Sequence, residues 1–132
     1  YVVPYEVAWR DLDAMGHVNN AVFVSYLEIA RTGYWLDLHG RHDARDIGFI
    51  VARIECDYRR ELNLGDAIEI AVRVGEMRHS SFDFLGEVRK DGEVVLAGKV
   101  TVVLFSWETR TKLAIPEELR QKIRAVQGES ER

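Results

Sequence analysis

The chain has 132 residues, 47% hydrophobic and 30% charged, the size of one domain. A net charge of -4 argues against a nucleic-acid binder working by bulk charge, and a single cysteine, Cys56, excludes an internal disulfide framework and any cysteine-based zinc cluster. Folding at this length buries about two thirds of the unfolded chain's surface, enough for a core but not for a second domain that closes over a ligand. Whatever binds must sit on the surface or in a cleft shared with another copy.

Taken in chain order, Val3, Tyr5, Val7 and Trp9 alternate with Pro4, Glu6 and Ala8 and predict a strand with Pro at its edge or start. Residues 10–20, RDLDAMGHVNN, have no regular period and read as a loop. Asn19 or Asn20 then caps a helix in which Phe23, Leu27, Ala30 and Tyr34 share one face, widened by Val22, Tyr26, Ile29 and Leu36. Only Ser25, Glu28 and Thr32, with Arg31 beside them, form a polar stripe, so the helix is expected to be buried; His39-Gly40 ends it.

After Gly48 the period changes to two. Ile50, Ala52, Ile54, Cys56 and Tyr58 predict a strand with one buried face. Ile68 to Val74, Ser80 to Arg89 and Glu93 to Trp107 predict three more, the last two joined by the hairpin signal Asp91-Gly92. Pro116 opens a short polar helix, PEELRQKIRAV. Four strands joined by short turns are expected to be antiparallel neighbours, giving an α+β domain with one buried helix and a five-stranded sheet wrapped around it, over residues 1–132. No stretch reaches the roughly 18 apolar residues of a membrane span, and the start lacks the charged-then-apolar pattern of a signal peptide. A soluble cytoplasmic protein is expected.

The chemistry concentrates ahead of the buried helix, where Asp11, Asp13, His17, Asn19 and Asn20 lie within ten residues. Capping the helix needs only one Asn. The alternative is that the first-turn amides and the helix dipole face a ligand oxygen, as an acyl carbonyl requires when it becomes tetrahedral. A nearby carboxylate, Asp13, could attack that carbonyl or take a proton from water, with His17 orienting it, Asn19 or a water.

The pattern D-x-D-x-x-G-H-V-N-N from Asp11 to Asn20, followed by the Y-L-E-I-A-R ending at Arg31, resembles the 4-hydroxybenzoyl-CoA thioesterase-like group of acyl-CoA thioesterases. A weaker likeness is R-H-S-S-F at Arg78 to Phe82. The resemblance implies the hotdog fold, a long central helix wrapped by an antiparallel sheet. It also implies an acyl-CoA substrate, with neither a metal nor a redox cofactor. By the motif the catalytic carboxylate falls on Asp13, as nucleophile or general base, and the Asn20 N–H polarises the thioester carbonyl. Arg78, His79 and Ser80 match a segment that approaches the coenzyme. The family's site is shared across a homodimer whose sheets join edge to edge, and dimers often pair into tetramers. H-V-N-N is closer to broad-specificity bacterial thioesterases and to plant acyl-carrier thioesterases, which implies that His17 and Asn19 share the catalytic work. Two other classes fit the same fold: a non-catalytic acyl-CoA sensor, and a dehydratase or isomerase using His17 with Glu28.

The remaining candidates have plainer readings. Glu28 is expected to pair with Arg31 or with a partner strand, and His39 and His42 to lie in a solvated loop. Cys56 is expected as a core thiol, and Arg53, Arg59 and Arg60 on an exposed face. The last long strand is apolar on both faces from Val100 to Phe105, so another subunit is expected to cover its outer face.

Overall fold

In a computed structural model the structure describes residues 1–40 and 48–130. The first alternation forms β1 (Val2–Glu6). It stops short of the predicted end, because the chain turns into a single 3-10 turn at Trp9–Asp11, leaving Val7 buried and Trp9 78% exposed. The helix is α1 (Asn20–Leu38). Asn19 caps it by accepting the Ala21 N–H at 2.8 Å, and Gly40, at φ +79°, takes the left-handed conformation that ends it.

Five further strands follow: β2 (Phe49–Tyr58), β3 (Ala67–Met77), β4 (Ser81–Lys90), β5 (Glu93–Ser106) and β6 (Thr111–Lys112). A second helix, α2 (Glu117–Ser130), comes last. All strand pairs are antiparallel in the order β1-β3-β4-β5-β2, with β6 off the path against β5. The strand count is six, not five, because β5 turns back into the two-residue β6.

Two other expectations are corrected. The second strand is not a neighbour of the third: β2 pairs with β5 at the far end of the sheet, and β1 takes the place beside β3. Alternation reports which face a side chain uses but not which strand lies alongside. Nor does β2 have one buried face. A bulge between Val51 and Arg53 exchanges its faces midway, and none of its residues is buried.

One face of the sheet holds the core against α1. Tyr34 and Trp35 pack on Phe82 and Phe84, and Leu27 rests on Gly86 and Gly98, which lie side by side in β4 and β5. A Cβ on either glycine would meet a Leu27 methyl at 2.7 Å, so the helix approaches the sheet as closely as it does because both positions lack one. Helix α2 is fastened to β3 by Gln127. Its side-chain amide accepts from the Val74 N–H at 2.6 Å and donates to the Val74 carbonyl at 2.9 Å.

Candidate active site

The loop between the 3-10 turn and α1 folds as a small hairpin. Leu12 and Val18 form a bridge, the Asp13 N–H donates to the His17 carbonyl at 2.9 Å, and Gly16 takes φ +83° at the tip. The tip carries Asp13 exposed, and its Oδ1 accepts the Met15 N–H at 2.9 Å, leaving Oδ2 to solvent or a ligand. At the foot of the hairpin the Asn19 N–H donates to the Asp11 carbonyl at 3.1 Å, and the Val18 N–H to that of Leu62 at 3.0 Å.

The start of α1 faces the same space. The Ala21 N–H is taken by the Asn19 side chain and the Val22 N–H by the Asn19 carbonyl at 2.9 Å. The Asn20 N–H therefore remains as a first-turn amide without an acceptor among the described residues. The Asn20 carbonyl receives the Tyr58 hydroxyl at 2.8 Å, which ties the helix start to the end of β2. His17 Nε2 lies 3.1 Å from a carboxylate oxygen of Glu61. Asp13, His17, Asn20, Phe23, Tyr58 and Arg59 line one cleft of about 370 Å³. Asn19 holds the helix start rather than lining that cleft.

Asp11, given no separate role in the sequence reading, is the buried member of the loop, 6% exposed. Its Oδ2 accepts three bonds: the Tyr5 hydroxyl at 3.0 Å, the Tyr26 hydroxyl at 2.9 Å and the Ala8 N–H at 2.9 Å. Burial, and after it the Asp11 carboxylate, pushes both tyrosine hydroxyls above their ordinary range, so they stay protonated and donate. The signal in the sequence is the first Asp of D-x-D, but its partners lie six residues before and fifteen after it.

Arg78, His79 and Ser80 form the turn between β3 and β4. The Arg78 guanidinium makes four hydrogen bonds: Asp83 at 2.6 and 3.3 Å, Glu76 at 3.1 Å, and Ser81 Oγ at 2.8 Å. The bond from Arg78 holds the Asp83 carboxyl below the ordinary carboxylate range. His79 is exposed, and its carbonyl accepts the Ile115 N–H; that of Ser80 accepts the Leu104 N–H. Leu104 pairs with Phe49, at the opposite end of β2 from Tyr58. The nine steps between them span about 30 Å, so within one chain this turn stands far from Asp13.

Of the other residues, Glu28 reaches buried Arg31 at 3.5 Å, while the Arg31 Nε and Nη1 make no hydrogen bond among the described residues. Arg31 thus belongs to the buried side of the helix, not to its polar stripe. Cys56 is half-buried, its thiol pushed up chiefly by burial. Arg53 pairs with Glu55 at 2.7 Å and Arg60 with Glu93 at 2.9 Å. His39 caps the end of α1 and meets Trp35 edge-on, whereas His42 lies outside the described residues.

The profile of the thioesterase-like superfamily matches residues 7–123. The long-chain acyl-CoA thioesterase FadM of Escherichia coli (strain K12) is 32% identical over 120 residues, covering 85% of this chain and 88% of the relative. The acyl-CoA thioester hydrolase YbgC of Escherichia coli O157:H7 is 31% identical over 120 residues, covering 88% and 90%. Among solved structures, a thioesterase of Thermus thermophilus complexed with coenzyme A and Zn superposes with a TM-score of 0.88 at 38% identity, over 96% of this chain and 93% of that one.

Proposed function

Because the chain belongs to the thioesterase-like superfamily, we propose that its reactive centre is the cleft between the Asp13 hairpin and the start of α1. The protein is an acyl-CoA thioesterase, hydrolysing an acyl-CoA to the free carboxylic acid and coenzyme A. The observation that carries the assignment is that an exposed carboxylate and the acceptor-free Asn20 amide line one cleft. The Asn20 N–H and the positive end of the helix dipole receive the thioester oxygen as it gains charge. Asp13 takes a proton from water, the resulting hydroxide adds to the carbonyl carbon, and the tetrahedral adduct collapses by breaking the carbon–sulfur bond. The departing thiolate takes up the proton that Asp13 removed from water, which restores the carboxylate. In the other course, Asp13 attacks the carbon itself and expels the coenzyme A thiolate to leave an anhydride; water then hydrolyses the anhydride, restoring the carboxylate and supplying the proton that the thiolate takes up. His17, braced by Glu61, orients the water, and Asn19 fixes the helix start.

The test is Asp13→Asn, read as release of free coenzyme A thiol from a panel of acyl-CoAs. A loss of about 10²–10⁴-fold is expected, and less than about tenfold removes Asp13 from its role.

The working unit is a dimer joined through β2. That strand is terminal in the sheet and keeps Ile50, Val51, Ile54 and Tyr58 36–45% exposed. A two-fold antiparallel pairing sets the Phe49 end of one copy beside the Tyr58 end of the other. It brings the Arg78–Ser80 turn of a second copy toward Asp13, where it can meet the coenzyme. In this assembly α1 is the central helix around which the sheet curls, and pairs of dimers form tetramers in the cytoplasm. Sedimentation at micromolar concentration tests the dimer: a fully active monomer overturns it.

A further inference from the structure

The Asp11 carboxylate has more partners than its local position requires. Satisfying the Ala8 N–H at the 3-10 turn needs one neutral acceptor. Asp11 is instead a carboxylate 6% exposed, and burying a carboxylate is unfavourable unless donors replace its water. The donors come from two different elements, Tyr5 from β1 and Tyr26 from α1, whose rings also pack on each other, and both donate to Oδ2. The main chain of the same residue accepts the N–H of Asn19, the residue that caps α1. Two residues on, the chain delivers Asp13, and nine residues on, the Asn20 amide.

From this junction we infer that Asp11 is a positioning residue for the hydrolysis. By gathering the Tyr5 and Tyr26 hydroxyls it locks the foot of the hairpin to both the sheet and the helix, and so fixes the spacing between the Asp13 carboxylate and the Asn20 N–H. The inference rests on the reading of those two groups as the reacting pair. Asp11 itself never meets substrate, since its carboxylate is buried and already bonded three ways. Its effect reaches the reaction only through geometry, to which rates are steeply sensitive: a misplacement of about 1 Å is worth about 10²-fold.

The experiment compares Asp11→Asn, Tyr26→Phe and Tyr5→Phe with the wild type. The two Phe variants keep the ring packing of Tyr5 on Tyr26 and of Tyr26 on Phe23 and remove only a hydroxyl, so they stay folded even where Asp11→Asn does not. The expected result is a fall in kcat of about ten- to hundredfold for Asp11→Asn and a smaller one for each Phe variant. KM should stay within about twofold, since uniform binding is not removed. The pH profile of kcat should keep its shape, because the titrating group is elsewhere. In a double-mutant cycle, Asp11→Asn should add little to Asp13→Asn, as members of one unit do. An unchanged kcat in all three variants overturns the inference, as do a KM that rises as far as kcat falls and effects that multiply in the cycle. If Asp13→Asn alone is fully active, the reading of Asp13 fails. The single variants then decide Asp11 by themselves, through the Asn20 amide that the same junction holds.

Discussion

The two edges of the sheet are built differently. β1 is five residues long, and Pro4 within it has no N–H to offer a further strand. Tyr1, just ahead of it, sets the edge of its ring against Tyr34 while staying 41% exposed. β2 has ten residues and no proline, and it exposes four large apolar side chains along its length. Short strands and prolines blunt an edge, whereas a long apolar edge invites another strand. The hairpin proposed to be reactive adjoins the inviting edge, at its Tyr58 end. The protein thus blunts the β1 edge and leaves the β2 edge open to pairing.

The comparison can be broken in several places. The largest effect is expected from Asp13→Asn, which should lower kcat by about 10²–10⁴-fold with little change in thermal stability, because the side chain is exposed. Phe84→Ala, in the core behind both edges, should lower stability by about 3–5 kcal/mol in urea titrations; Phe84 is 2% exposed and touches Tyr34, Trp35, Phe49 and Phe82. Ile54→Lys on β2 should weaken self-association by at least about tenfold in sedimentation, with activity falling alongside, since a charge buried at an interface must be desolvated.

Asp83→Asn addresses the acid limb of stability. Arg78 lowers the folded-state pKa of Asp83 below its unfolded value. The pair's contribution is therefore fully present above about pH 4 and is lost as pH falls through the folded value. The variant should flatten the fall of the melting temperature below about pH 4 and lower it slightly at neutral pH. The smallest effect is expected from Val2→Lys on β1, where Val2 is already 50% exposed: within about 0.5 kcal/mol, with association and activity unchanged. A dimer broken by Val2→Lys rather than by Ile54→Lys would reverse the roles of the two edges.

Much of this is legible in the sequence because periodicity is local. The spans of α1, β3, β4 and β5 follow from which residues alternate or recur, and the Asp-rich hairpin stands out by composition. What is not legible depends on distant partners. The place of β2 beside β5 is fixed by pairing across the sheet, and its bulge exchanges faces that a strict alternation keeps apart. Arg31 looks like a surface residue by spacing, yet it is 6% exposed. Within the site, Asp13 and Asn20 are separated by a turn that the motif contains. The importance of Asp11 lies instead in two tyrosines from other elements. The engagement of Arg78 follows the same rule, since Asp83 and Glu76 reach it only once the β3–β4 turn has formed.

The glycine pair beneath Leu27 acts as a fulcrum. Leu27 lies seven residues, about 10 Å along the helix axis, from the amide at Asn20, so the height of the helix at that contact is one of the constraints on where its first amide stands. A methyl group added at Gly98 would press on Leu27 at 2.7 Å and on the Glu55 carbonyl at 3.3 Å. It would act as a wedge between helix and sheet. On the role proposed for Asn20, the place where an oxyanion is held is thus set in part from the middle of the sheet, by two hydrogen atoms standing where other residues carry carbon.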